Sequence, residues 1–338
     1  MTEPVIRVDF NEVQVRLQGV LVKVGLTPEG ADLCARLFAE ASRDGVPSHG
    51  LDSVPRFVAS VRNGLVNPRG RPVRLTALGA LEQWDGQAGP GPLNAWFSMD
   101  RAIQLAREHG LGCVALRRTN HWMRAGNYGW QAAEAGMIGM CWTNTTALMP
   151  PWGSAQKKIG NNPLVLAVPR PGGHLVLDMA ISQFSFGRLN TLLRAGRQTP
   201  VPGGYDATGQ LTTDPATILQ SERPLPIGYW KGAGMALMLD LAAAALSGGQ
   251  ATYQVAAAAD AEKTVSQVFL AFDVGRLGSL EATGQLADAV IADLHQAQPL
   301  SPDSPVLYPG ERALQARHDS LCHGVPVHRD VWNEICRL

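Results

Sequence analysis

Beyond about residue 72 the chain repeatedly changes its hydrophobic period, from two to about 3.6 and back. A period of two marks a strand and a period of 3.6 a helix. Their alternation leaves few solutions other than a sheet covered by helices. PVRLTALGALEQWDG reads as two short strands, and NAWFSMDRAIQLAREHG as a long amphipathic helix ending at Gly110. GCVALRR is a strand, NYGWQAAEAG a helix and MIGMCWTNTT a strand. LVLAVPR and HLVLDMA are two more strands, joined by the turn Pro171-Gly172-Gly173. A helix is expected over 182–194, then a polar, Pro- and Gly-rich connection over 196–228 with little periodicity. GAGMALMLDLAAAALSGG is a helix, TVSQVFLAFDV a buried strand and LEATGQLADAVIADLHQA a long helix. PGERALQARHD and VHRDVWNEICRL read as two terminal helices.

The first 65 residues read as helical instead. FNEVQVRLQGVLVKVG has helical spacing. Thr27-Pro28-Glu29 starts a second helix, with a capping hydroxyl, a proline suited to the first turn and an acid at the positive dipole end. That helix stops at Gly45, and a third runs through VPRFVASVRNG.

The chain has 338 residues, 45% of them apolar, enough for a substantial core. Lys plus Arg and Asp plus Glu are 29 each, so a nucleic-acid binder with a basic stripe is not expected. The five cysteines are scattered with no Cys-x-x-Cys pair, which suits reduced thiols in the cytoplasm. MTEPVIRVDF has neither a basic nor an apolar leader region, and the longest apolar run is broken by Asp240. Neither a signal peptide nor a membrane span is expected.

No Gly-x-Gly-x-x-Gly follows a strand and opens a helix; Gly86, Gly89 and Gly91 come in the wrong order. A Rossmann fold is therefore not expected. Neither a Walker-type loop nor a Gly-x-Ser-x-Gly elbow is present. Five stretches could carry chemistry. In GVPSHG, His49 titrates near neutrality and is either a proton carrier or an exposed or packed histidine, while Ser48 is read as a helix cap. In TNHWMRAGNYGW, Asn120, His121 and Arg124 offer donors and a cation after a strand, and Trp122 and Tyr128 could wall a pocket or pack in the core. In CWTNTTALMPPWG, the run Thr143 to Thr146 suits a hydroxylated substrate, or simply a rigid loop. In VLDMAIS, Asp178 either caps a helix or holds one nitrogen of His49 and raises its basicity. In GYWKGAGMAL, Lys231 just precedes a helix whose start could bind phosphate. His318, His323 and His328 recur at five-residue spacing, which does not share a helix face, and no metal site is expected.

Taken in order, GVPSHG, PRF, GALEQWD, NHWMRAGNYGWQAAE, CWTNTTALMPPWG, IGNNPL, LPIGYWKGAGM and YPGE resemble the malate/L-lactate (type 2) dehydrogenase family over essentially the whole chain. The resemblance implies an α/β fold with a mixed, non-Rossmann sheet covered by helices. It implies an N-terminal helical segment with the catalytic histidine (1–70), a cofactor- and substrate-binding core (71–325) and a C-terminal helix packing back (326–338). It implies reduction of a 2-keto acid by a nicotinamide cofactor, NADH or alternatively NADPH, in a homodimer. The expected substrate is a 2-keto sugar acid such as 2,3-diketo-L-gulonate. A malate-, lactate- or ureidoglycolate-type acid, a cyclic imine carboxylate, or sugar-acid binding without catalysis are the competing readings. By the same resemblance His49 is the proton donor and Asp178 its support. The cofactor segment is His174, Leu175, Val176, Leu177, Asp178, Met179 and Ala180, with Trp230, Lys231, Gly310, Glu311 and Arg312. Substrate contacts are expected from Ser48, Arg56, Asn120, His121, Arg124 and Thr143. The chain departs from the family at Ser53, where relatives often carry an arginine; Arg56 and Arg124 are the cations that could grip a carboxylate instead.

Overall fold

The computed structural model describes residues 5–255, 264–301 and 305–338. A short strand β1 (Val5–Val8) leads into α1 (Phe10–Lys23), capped by Asp9, and α2 (Pro28–Arg43), capped by Thr27. Two turns of 3-10 helix, Pro47–His49 and Leu51–Ser53, connect to α3 (Val54–Arg62). Then come β2 (Val73–Leu78), β3 (Leu81–Asp85), α4 (Gly91–His109), β4 (Leu111–Thr119), α5 (Gly126–Glu134) and β5 (Met137–Thr143). β6 (Leu164–Val168), β7 (Leu175–Met179) and α6 (Phe186–Arg194) follow. The connection beyond holds β8 (Gly204–Tyr205), β9 (Leu211–Thr212) and α7 (Pro215–Ser221). The chain closes with α8 (Trp230–Ser247), α9 (Thr252–Val255), β10 (Val265–Asp273), α10 (Val274–Leu277), α11 (Leu280–His295), α12 (Glu311–His323), β11 (Val325–His328) and α13 (Arg329–Arg337).

Seven strands form one mixed sheet in the order β2-β3-β4-β10-β5-β6-β7, with β3 and β4 parallel and the other neighbours antiparallel. Side chains alternate faces along each strand. Val114, Cys141, Val165 and Phe269 pack under α4 and α5, while their neighbours Ala115, Trp142, Leu164 and Val268 pack under α8. Burial on both faces explains why these strands read as nearly continuous apolar runs. A third core joins α1, α2 and α3 to Val325, Val327 and Ile335 near the other end of the chain.

Four sequence expectations need correction. The N-terminal segment is not all helical, because β1 pairs antiparallel with β11, a strand that overlaps only the first two residues of the stretch read as the last helix. The helix expected from 182 starts at Phe186 under a Ser185 cap. Before it the chain is extended, Ser182 bridging Pro226 and the Gln183 amide donating to the Leu225 carbonyl. The connection over 196–228 is ordered by a small hairpin around Asp206 and by α7 under Asp214. Lys231 lies inside the first turn of α8 rather than before it.

Candidate active site

The register of the sheet collects chemistry at one edge. Thr119 at the end of β4 faces Val265 at the start of β10; Gln267 faces Thr143 at the end of β5; Leu164 at the start of β6 faces Met179 at the end of β7. A cavity of about 1250 Å³ opens there, walled also by the His49 turn, the start of α6 and the start of α12. That exceeds the roughly 300–1,000 Å³ usual for one small ligand and leaves room for two molecules side by side.

His49, Ser48, Arg56, Asn120, His121, Arg124, Thr143 and Asp178 all reach this wall. The His49 and His121 rings stack, 5.7 Å apart and 15° from parallel. His121 Nδ1 accepts the Met123 amide at 3.1 Å, so its proton sits on Nε2. The residue is partly exposed and lines the cavity. Burial, followed by the charges of His49 and Arg56, pushes its pKa down to about 3. His49 Nδ1 lies 3.2 Å from the Ser48 hydroxyl, which leaves Nε2 to present a proton. Burial lowers the His49 pKa, Asp178 opposes that, and Arg56 and Arg124 add to it.

Several expectations change. Asp178 raises the basicity of His49 only through space. Its carboxylate accepts the Gly126 amide at the start of α5, 2.8 Å away, and makes no hydrogen bond to His49 among the described residues. Nor does it cap a following helix, since it lies within β7. Ser48 does not cap α3, which has no side-chain cap bond. Tyr128 is wholly buried, its hydroxyl donating to the Trp122 carbonyl, so it packs in the core rather than walling the cavity. The Thr143 hydroxyl donates to the backbone carbonyls of Asn144 and Ser266, and Asn144 is spent on Asp240, Gln250 and Ser266. Their polarity therefore braces the loop rather than offering a free lining. Ser53 is buried against the Ser48 carbonyl and is absent from the wall.

The residues expected to hold the cofactor divide. Val176, Asp178, Met179, Ala180, Gly310 and Arg312 line the cavity. Leu175 and Leu177 lie on the other pleat, and His174 packs on Trp130 while its Nδ1 accepts the Arg170 amide. Glu311 turns back to accept the Tyr308 amide and meets His295 at 3.1 Å. Trp230 and Lys231 are exposed on α8, away from this wall. Gly310 has a φ of 101°, and a Cβ there would sit 3.0 Å from the Val176 amide nitrogen, so only glycine brings α12 this close to β7.

Two contributors were missed in the sequence. Ser182 to Arg188 forms a whole side of the cavity. The serine cap before Phe186 was the available signal, but it sat inside a stretch already assigned to helix. Gln267 lies on the central strand, fully buried, with its Nε2 donating to the Asn120 carbonyl. A glutamine within an otherwise apolar strand was its signal.

Comparison with known proteins places the fold in a family. A family model described as malate/L-lactate dehydrogenase matches residues 8–336. Proteins named 2,3-diketo-L-gulonate reductase from Salmonella typhi and Citrobacter koseri are each 42% identical over 332 residues, 98% of this chain and 100% of theirs. A malate dehydrogenase from Pyrococcus horikoshii superposes with a TM-score of 0.88 at 29% identity, covering 98% of this chain and 95% of that one. A sulfolactate dehydrogenase from Methanocaldococcus jannaschii does so with a TM-score of 0.89 at 28% identity, covering 98% and 97%. Family match, full-length relatives and superposable fold converge: the chain belongs to the malate/L-lactate dehydrogenase family and is an oxidoreductase.

Proposed function

We propose that this chain reduces a 2-keto sugar acid, with 2,3-diketo-L-gulonate as the leading substrate and NADH as the reductant. The carrying observation is the pair of stacked imidazoles on the wall of a cavity large enough for two ligands. The substrate follows the names of the 42% identical relatives.

A bound nicotinamide supplies the hydride. The chain's residues do the rest. Val176, Met179, Ala180, Gly310 and Arg312, which line the cavity, would hold the cofactor along the β7 edge. His49 donates the proton that the nascent alkoxide needs, from the nitrogen not facing Ser48. His121, neutral and with its proton on Nε2, donates a hydrogen bond to the same oxygen without competing for the proton. Asp178 favours the charged form of His49. A simple 2-keto acid is the second reading, because Thr143 and Asn144 are occupied within the protein and leave fewer groups to recognise sugar hydroxyls.

A homodimer is part of the proposal. The outer face of α8 exposes Trp230, Met235, Leu237, Met238 and Leu241, a large apolar strip for a monomer. A second copy would cover it and give Trp230 and Lys231 a neighbour to serve. Five free thiols suit the cytoplasm, and no helix of the described residues is long and apolar enough to cross a membrane.

The test is oxidation of NADH and of NADPH against 2,3-diketo-L-gulonate, pyruvate, oxaloacetate and a cyclic imine carboxylate. His49→Ala is run beside the parent. Turnover of the diketo acid that vanishes in the variant supports the proposal. Turnover of another acid alone moves the substrate, and none with any acid overturns the reading.

A further inference from the structure

Arg124 is the one cation of the wall that is buried, its side chain only 4% exposed. An arginine cannot shed its proton to escape burial, so it needs acceptors. Its Nη1 donates to Asp44 at 2.6 Å and to the neutral Asn127 Oδ1 at 3.3 Å. Asp44 is already heavily used: it accepts Arg43 Nε at 2.7 Å, and Arg317 through Nε at 3.0 Å and Nη2 at 2.7 Å. One carboxylate thus serves three guanidinium groups. Arg43 has a second acid, Glu40, at 3.7 Å, but Arg124 forms no second ion pair among the described residues.

The other edge of Arg124 is free. Its Nε is buried with no acceptor among the described residues, and no bond is made by Nη2. Nε is sealed from the cavity against Gly126, so Nη2 is the donor left for a ligand, and one oxygen of a carboxylate is a charge-assisted acceptor for it. Arg56, the arginine that acts on both imidazoles, is exposed and makes no such fixed side-chain contact among the described residues. In a 2-keto acid the carboxylate is bonded to the carbon that receives the hydride. A cation that influences His49 is therefore in the right neighbourhood for it.

We propose that the free Nη2 of Arg124 takes an oxygen of the substrate carboxylate, and that Asp44 is the positioning residue that holds the guanidinium at the cavity wall. Asp44 also binds Arg317 of α12, the helix whose first turn carries Gly310 and Arg312, so one carboxylate fixes the substrate clamp relative to the candidate cofactor segment. This deepens the keto-acid reading and rests on it.

The experiment has a binding arm and a kinetic arm. In the first, oxamate, an unreactive 2-keto acid mimic, is added to the NADH complex and the melting temperature is followed. The parent is expected to be stabilised, Arg124→Gln not at all, and Arg56→Gln like the parent. In the second, kcat/KM is compared for 2,3-diketo-L-gulonate and its 1,4-lactone, which lacks the carboxylate. The preference for the acid should fall on the order of 100-fold in Arg124→Gln. It should fall about tenfold in Arg124→Lys, which keeps the charge without the planar guanidinium, and in Asp44→Asn. NADH affinity should stay unchanged in both Arg124 variants, which a merely structural defect would not allow. If Arg124→Gln does not fold, Arg124→Lys decides both arms. The proposal fails if oxamate does not stabilise the parent or stabilises Arg124→Gln equally, if Arg56→Gln loses the effect instead, or if NADH affinity falls while the acid preference stays. Absence of turnover with an intact oxamate effect would sink the substrate assignment and leave the clamp standing.

Discussion

At His49, loss of water and three nearby charges act on a single imidazole. Burial lowers its pKa most, Asp178 pulls the other way, and Arg56 and Arg124 push it further down. Keto-acid reduction needs the imidazolium, so kcat/KM should fall as pH rises through a value below the ordinary 6.5 of histidine. Asp178→Asn removes the only raising charge and should move that limb to still lower pH. A limb moving toward alkali would refute the assignment of Asp178. His121 gives a stability prediction. Its folded pKa of about 3 lies below the unfolded 6.5, so between these values the unfolded chain binds the extra proton. Stability is fully present above pH 6.5 and is lost as pH falls toward 3, by up to about 1.4 kcal/mol per pH unit. Urea titrations of the parent and His121→Asn at pH 7, 6 and 5 should show the shallower slope in the variant. Single residues were legible where chemistry and position coincide: His49, Asp178 and the Asn120–Arg124 loop stand at strand ends or a turn. Asp44 was not legible, because its meaning comes from Arg124 and Arg317, which are far away in sequence.

Among the elements, the strand-end loop after β4 depends most on a neighbour. Gly91 opens α4 with its Cα against the carbonyl oxygens of Asn120 and His121, and a Cβ there would fall on both. Backbone cannot give way as a flexible side chain can. Gly91→Ala should therefore shift the loop that carries His121 and Arg124, lowering stability by about 1–3 kcal/mol. It should also reduce kcat/KM more than the change in folded fraction explains, as activity and circular dichroism measured together would show. Helices with a cap and a face were readable from the sequence: Thr27 before α2 and the stripe of α4 are local facts. β1 and β11 were not. Four residues carry little periodicity, and each strand exists only because its partner lies at the far end of the chain. The start of α6 was misplaced because Ser182 and Gln183 are drawn into extended structure by Leu225 and Pro226, a tertiary pull that no local preference records.

For the molecule as a whole, the exposed strip of α8 makes a prediction about assembly. Met238 is 63% exposed at its middle. Met238→Glu should leave the fold intact but shift sedimentation from dimer to monomer and lower turnover, since Trp230 and Lys231 lose the neighbour they are proposed to serve. A parent that sediments as a monomer at micromolar concentration would end the dimer proposal. The α/β class was legible because period switching is repeated many times along the chain. The strand order was not, because nothing local says that β10 belongs between β4 and β5. That insertion has a consequence during synthesis. Until β10 leaves the ribosome, β2-β3-β4 and β5-β6-β7 are two separate half-sheets, each with a naked inner edge. Those edges, mostly apolar, wait for a strand made more than a hundred residues after β5 ends. A chain released before Val265 should therefore be captured by chaperones or aggregate, however complete its cavity-lining loops look on paper.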